Sequence, residues 1–295
     1  MSFTIDQQLC IQCKLCIEVC PVNLIETDND NKVRFITNRT AICIGCGQCM
    51  AVCSTKAIVA NNLSYDTGFE ALPDKKIGYN DFSGFLSSRR SVRNYTKKQV
   101  PAEMMDKILH SLSYAPFGAS PEKMHVTVIN NRKIIEDSLP FIENFLDNIV
   151  KWVDNPVTSF IIRKKKGNET FNTIKNHLYP IAKFDNYKLK YGDRITRGAP
   201  AMIIFHADKD AEEHTNNALI YATYVMLAAH SLGLGASMIG IVPAAVNKVK
   251  EVREAYKIPG YHEAVMAVIT GFPKIHYQRA IKRPLPVIHH LSLQE

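Results

Sequence analysis

Cys10-Ile11-Gln12-Cys13-Lys14-Leu15-Cys16-Ile17-Glu18-Val19-Cys20 is matched thirty-three positions later by Cys43-Ile44-Gly45-Cys46-Gly47-Gln48-Cys49-Met50-Ala51-Val52-Cys53. Both stretches have the spacing C-x2-C-x2-C-x3-C, and together they hold all eight cysteines of the 295-residue chain. Two four-thiolate sets of this spacing are what two iron–sulfur cubanes, [4Fe-4S], require.

The stretches belong to an internal repeat, since Val19-Cys20 aligns with Val52-Cys53 and Ile25 with Ile58. Three thiolates spaced two apart converge on one cluster, and the fourth ligand comes from the other copy. Cys10, Cys13, Cys16 and Cys53 are therefore expected to hold cluster 1, and Cys43, Cys46, Cys49 and Cys20 cluster 2. Gly45 and Gly47 are expected to let the backbone curl around the second cluster. Tetrahedral zinc also accepts x2 spacings, but the third in-line cysteine and the x3 ending favour cubanes. Four disulfides suit a small secreted chain, not one corner of a large one. No secretory signal precedes Cys10, and no apolar run approaches the ~18 residues of a membrane span. A cytoplasmic protein with reduced thiolates is expected.

Residues 3–62 resemble the bacterial two-cluster ferredoxin domain. Proline follows Cys20, as in that family, but Ser54 follows Cys53. A domain of about 60 residues is marginal by burial alone, so metal is expected to help hold it.

The remainder has the composition of an ordinary globular protein, with 46% hydrophobic and 22% charged residues overall. The net charge of +8 is uneven, because residues 1–66 carry five Lys/Arg against six Asp/Glu and the excess falls beyond them. Solvated lysines and a bound anionic cofactor explain a basic half better than nucleic acid does. Residues 67–80, with Gly, Pro and charge but no period, read as a linker between a domain at 1–66 and another at 81–295.

The second domain opens with a short helix through Phe82, Phe85 and Leu86, capped near Asn80 or Asp81. Pro101 starts a helix with Met104, Met105, Ile108, Leu109 and Leu112 as core candidates. Strands are expected at 124–129, 201–206, 263–270 and, as strand or loop, 236–242. Helices are expected around 133–152 (bent or interrupted at Pro140), over 211–232 with Leu219, Thr223, Met226, Leu227 and Leu232 buried, and from Pro243 to Tyr256. Residues 154–196 show no clean period. With Arg163-Lys164-Lys165-Lys166 they read as a solvated insertion, with a docking surface for an acidic partner as the alternative. Alternating helices and strands indicate an α/β or α+β layered fold.

Electrons entering a domain without cysteines need a second redox centre, and a flavin accepts them singly and passes them on in pairs. Arg89, Arg90 and Arg93 lie within five residues, with Lys282 and Arg283 near the other end; guanidinium forks match phosphate geometry. There is no P-loop, and Gly233-x-Gly235 lacks the third glycine of a dinucleotide fingerprint.

From about residue 82 onward, an ordered series of short motifs is similar to the FMN-dependent nitroreductase family: Arg89-Arg90-Ser91-Val92-Arg93, Ala115-Pro116, Gly198-Ala199-Pro200, Leu232-Gly233-Leu234-Gly235, Met238-Ile239-Gly240, Gly271-Phe272-Pro273 and Arg283-Pro284-Leu285. The resemblance implies a three-layer α+β fold and a homodimer with FMN at the subunit interface. It implies that Arg89, Arg93 and Arg283, with Lys282 beside it, bind the phosphate, and that Arg90 and Ser91 lie along the ribityl and ring edge. Ile239 and Gly240 would offer backbone donors to the ring, while Pro116, Phe117 and Gly118 would come from the partner subunit. Ser120 would replace an asparagine that often touches the flavin. Substrate contacts do not transfer, and no catalytic acid is assigned; His125, His206 and His214 read as structural.

The expected activity is that of an iron–sulfur flavoprotein oxidoreductase. Electrons from a low-potential donor such as reduced ferredoxin would pass through the clusters to FMN. They would go on to a small organic acceptor, nitroaromatic or quinone-like. NAD(P)H reduction of the flavin with outward flow through the clusters is one alternative, and a redox sensor or electron-transfer module is another. Nucleic acid ranks last.

Overall fold

The computed structural model describes residues 2–118, 121–184 and 187–291. The chain divides into two compact units between Ile77 and Gly78.

The first unit has two antiparallel strand pairs, one joining its two ends and one a hairpin, around a small core. Strand β1 (Phe3–Ile5) pairs antiparallel with β4 (Ile58–Ala60), and β2 (Ile25–Thr27) pairs with β3 (Val33–Phe35). One-turn helices α1 (Leu15–Glu18) and α2 (Gln48–Ala51) occupy equivalent places in the two copies of the repeat. Leu24, Ile25, Val33, Met50, Ile58 and Ala60 form the buried core. Helix α3 (Tyr65–Gly68) adds Tyr65 and Phe69 to it, and the Tyr65 hydroxyl donates to the Ile58 carbonyl at 2.9 Å.

The second unit is built on a sheet with strand order β5-β6-β8-β7 among the described residues. These strands are β5 (Met124–Ile129), β6 (Ala201–Asp208), β7 (Gly235–Ile239) and β8 (His262–Gly271), all antiparallel to their neighbours. Side chains alternate across a strand, and β6 is apolar on both faces. Met202 and Ile204 join one core, while Ala201, Ile203 and Phe205 join the other. The first core is closed by α6 (Arg132–Asp154), α8 (Tyr179–Lys183), α10 (Ile241–Val246) and α11 (Lys250–Ala255). The second is closed by α5 (Ala102–His110) and α9 (His214–Ser231). Helix, sheet and helix thus form the three layers of an α+β fold.

Several sequence expectations need correction. Helix α4 (Tyr79–Ser88) starts after Gly78 with no side-chain cap, so neither Asn80 nor Asp81 caps it. Pro140 lies inside a continuous α6. The helix expected from Pro243 to Tyr256 is two helices. Between them Asn247 turns to the edge of β8, donating to the Ala264 carbonyl at 2.7 Å and accepting from its amide at 2.9 Å. In α9 the buried stripe is Asn217, Ala218, Ala222, Val225 and Ala229, and Leu219 and Thr223 face outward. Small side chains on that face suit a helix laid directly on a sheet.

The largest correction concerns residues 154–196. Helix α7 (Pro156–Thr173), broken at Gly167, leads through a π-helical turn at Ile174–Leu178 into α8. Phe171, Ala182, Tyr187 and Ile195 are buried, so the part from Phe171 onward packs on the core, whereas 154–170 is largely exposed, as expected of a solvated insertion. Gly167 at φ 83° and the π turn interrupt the 3.6-residue period that would have revealed the helices.

Candidate functional sites

Each thiol cavity of the first unit draws on both copies of the repeat. Cys10, Cys13, Cys16 and Cys53 line one, and Cys20, Cys43, Cys46 and Cys49 line the other. The loops achieve this with paired left-handed residues. Gly45 and Gly47 have φ of 66° and 71°, and their counterparts Gln12 and Lys14 have φ of 56° and 63°. The curl therefore exists in both copies, although only the second spends glycine on it; in the first, non-glycine residues hold a conformation that costs about 1 kcal/mol each.

Among the described residues, no three His, Cys, Asp or Glu side chains close on a single-ion position. The thiols surround a space, which suits a cubane with one iron per thiolate better than a lone zinc. Backbone amides are aimed at the sulfurs: Leu24 N–H donates to Cys20 Sγ at 3.2 Å and Ala57 N–H to Cys53 Sγ at 3.3 Å. Burial, and then the neighbouring Cys46, pushes the Cys49 thiol up to about 11. Gathered thiols resist ionising together, and a cationic iron core relieves that resistance.

In the second unit the segment Arg89–Tyr95 is stitched between β7 and the residues after β8. Val92 N–H donates to the Ala236 carbonyl at 3.2 Å, and Ser91 bridges the same residue. Thr96 N–H donates to Phe272 O at 2.9 Å and Lys274 N–H to Asn94 O at 2.9 Å. The buried Tyr95 hydroxyl donates to Val92 O at 2.6 Å, and burial raises its pKa well above the usual value.

This stitching carries Arg93 to the rim of a 460 Å³ cavity at the C-terminal end of β7. Ser237, Met238, Ile239, Gly240 and Ile241 line it, together with the apolar Leu146, Leu178, Ile181 and Ile195. Arg194 and Arg197 join Arg93 there, with His177 and Tyr187. Burial, and then the charges of Arg93 and Arg194, depress the Arg197 pKa. The charge of Asp193 offsets this only in part. Asp193 is committed to Arg132 at 3.0 Å, to the Thr196 hydroxyl and to the amides of Thr196 and Gly198. Burial works to raise the Asp193 pKa, but these bonds outweigh it and hold the carboxyl below its usual range. A flat, largely apolar ligand with an anionic end fits such a cavity.

Of the residues expected at a flavin site, Arg93, Ile239 and Gly240 line this cavity. Arg89 turns elsewhere. Its Nη1 is buried without a hydrogen-bond partner, and burial, then Arg90, lowers its pKa. A buried, unpaired guanidinium nitrogen fits a site completed by an anion. Arg90 is half-buried beside it, Pro116 and Phe117 are exposed, and the Gly118 amide donates to Asn217 Oδ1 at 2.7 Å. Lys282 and Arg283 are exposed in the extended segment after β8, and Ser120 lies outside the described residues. Arg194, Arg197, His177 and Tyr187 were missed from sequence. The signal available was the arginine pair directly before Gly198-Ala199-Pro200.

The three histidines read as structural fall at one end of the sheet or beside it. His206 and His262 share a 2.8 Å hydrogen bond between their Nδ1 atoms, His206 Nε2 meets the Thr127 hydroxyl, and His125 stacks on His206. His214 Nδ1 meets the Ala211 carbonyl at 2.7 Å.

Both parts of the chain match known families. Residues 86–272 match the nitroreductase family model, and residues 9–58 match that of a 4Fe-4S dicluster domain. A protein of Methanothermobacter thermautotrophicus, provisionally named as an NADH dehydrogenase/NAD(P)H nitroreductase, is 24% identical over 204 residues, 68% of this chain and 81% of that one. A Bacteroides fragilis nitroreductase solved with bound FMN aligns with a TM-score of 0.51 at 20% identity, over 72% of this chain and all of that one. A Desulfitobacterium hafniense nitroreductase with bound FMN gives 0.51 at 17% identity, over 71% and 97%. No helix among the described residues is long and apolar enough to cross a membrane.

Proposed function

Because the chain belongs to the nitroreductase family and is an FMN-dependent oxidoreductase, we propose that it is an iron–sulfur flavoprotein in which two [4Fe-4S] clusters serve a flavin and the flavin serves a small organic acceptor. When bound, the clusters carry electrons singly and FMN collects them for a two-electron reduction. Cys10, Cys13, Cys16 and Cys53 hold one cluster, and Cys43, Cys46, Cys49 and Cys20 the other. Ile239 and Gly240 would hold the FMN ring, and Arg93, Arg194 and Arg197 would hold its phosphate. Arg89, Arg90, Ser91, Lys282 and Arg283 complete the site in a homodimer, with Pro116, Phe117, Gly118 and Ser120 from the partner copy. The donor is a low-potential protein such as reduced ferredoxin, and the acceptor a nitroaromatic or quinone-like compound.

The observation that carries this reading is the pairing of thiols across the repeat around two separate cavities, in one chain with an arginine-rimmed flavin-sized cavity. Anaerobic reconstitution should give about eight irons and about one FMN per chain. Zinc without flavin would overturn it. The archaeal relative's name supports a second reading, in which NAD(P)H reduces the flavin and electrons leave through the clusters. Stopped-flow mixing with NAD(P)H and, separately, with reduced ferredoxin distinguishes the directions.

A further inference from the structure

The two thiol cavities come from copies of one repeat, so a difference between them can be traced to single residues. Positions 21, 22 and 24 of the first copy correspond to 54, 55 and 57 of the second. The amide bond to the crossing cysteine occurs in both: Leu24 N–H to Cys20 Sγ at 3.2 Å, and Ala57 N–H to Cys53 Sγ at 3.3 Å. One contact is not repeated. The Thr55 hydroxyl lies 3.7 Å from Cys53 Sγ, within hydrogen-bond reach of a sulfur, and its counterpart in the other copy is Val22, which has no hydroxyl. Val22 instead presents its methyls to the cavity of Cys20, Cys43, Cys46 and Cys49. The Tyr65 hydroxyl donates to the Ile58 carbonyl at 2.9 Å and also reaches Cys53, and Ser54 lines the same cavity; neither is changed in the variants below.

We propose that Thr55 makes the two clusters inequivalent, so that the one held by Cys10, Cys13, Cys16 and Cys53 has the higher reduction potential and takes the first electron. This rests on the two-cluster reading above. Reduction by a one-electron donor adds one negative charge to the cluster and its thiolates, with no bond broken and no proton required. A hydroxyl donating to Cys53 Sγ stabilises that more negative state more than the oxidised one. Threonine and valine are nearly isosteric, so exchanging them removes or adds the donor with little change of volume.

The test is an anaerobic redox titration of full-length reconstituted protein, followed by electron spin resonance, for wild type, Thr55→Val, Val22→Thr and the double exchange. Iron content measured beforehand decides the underlying reading on its own, since preparations without two clusters would sink both. The expected change in the reduced-to-oxidised ratio is up to about tenfold, which is ~59 mV for a one-electron couple. Wild type should show two separated midpoint potentials. Each single variant should narrow the gap, Thr55→Val by lowering the upper potential and Val22→Thr by raising the lower. The double exchange should narrow the gap more than either single variant. Coincident wild-type potentials, or a Thr55→Val protein with both potentials unchanged, would overturn the assignment.

Discussion

Gly235 opens β7 where the Arg89–Tyr95 segment crosses it, and replacing it with alanine tests whether that crossing positions the cavity. A Cβ there would lie 2.5 Å from Val92 Cβ and 2.6 Å from both Val92 Cγ atoms. No rotamer of Val92 relieves the contact, because the nearest atom is its own Cβ. The segment has to retreat by roughly 1 Å to reach ordinary van der Waals separation. That retreat strains or breaks the Val92–Ala236 hydrogen bond. Overpacking costs about 1–3 kcal/mol and a lost hydrogen bond about 1, so roughly 3 kcal/mol is expected. In a unit of this size each kcal/mol shifts Tm by about 2–4 °C, giving a fall of about 6–12 °C. Arg93 moves with the segment, so FMN affinity should fall as well. Trp152, the chain's only tryptophan, lies in α6 and reports unfolding of this unit by fluorescence. Gly84→Ala is the control, because its Cβ meets nothing within 4 Å and lies inside α4; it should stabilise by about 0.5–1 kcal/mol. A Gly235→Ala protein with wild-type Tm and wild-type FMN affinity would refute the reasoning.

Three further outcomes are expected. Arg194→Ala and Arg197→Ala should each weaken FMN binding roughly tenfold while leaving riboflavin affinity unchanged, read by fluorescence titration; equal losses for both flavins would remove these arginines from the phosphate. Acid should destabilise the second unit through the histidine pair. Burial first, then His262 and His125, holds His206 down to about 4, and His262 is lowered in the same way. The unfolded chain takes up these protons near pH 6.5, so the stabilisation is complete above that pH and drains away as pH falls towards 4. Urea midpoints followed by Trp152 between pH 7.5 and 4.5 should show it, and His206→Gln should flatten the slope. Finally, Cys20→Ala should remove the cluster of the other repeat, leaving about four irons per chain, and a further Cys53→Ala should remove these too while a further Cys43→Ala should not; the reverse pattern would contradict the crossed ligation.

The sequence was most legible where a short-range pattern coincided with a long-range one. Strands β5, β6 and β8 are apolar runs between turn residues, and they lie within a residue or two of where those runs put them. Cysteine spacing identified the ferredoxin-like part because ligation leaves so few arrangements open. Arg93, Ile239 and Gly240 could be named because each belongs to an ordered series of motifs. His177 could not, since it sits in the π turn that follows the break at Gly167, and Arg194 and Arg197 could not, since they lie in an irregular stretch before β6 that has no period to read. The face of α9 was misjudged for a different reason. Residue hydrophobicity favours Leu219 for burial, whereas packing on the sheet selects Ala218, Ala222 and Ala229.

The exchange of Cys20 and Cys53 between the two thiol cavities also bears on how the first unit can be assembled. In two independent sites, losing one copy of the repeat would leave the other able to load. Here a chain cut between the copies would have two three-thiol remnants and no complete set, so half of the unit yields no half of its function. Synthesis reaches Cys10, Cys13 and Cys16 early, yet their cavity stays open until Cys53 has emerged, thirty-seven residues after Cys16. On the proposed two-cluster reading, iron loading is thereby tied to completion of the whole unit, and the same interlock makes the unit indivisible.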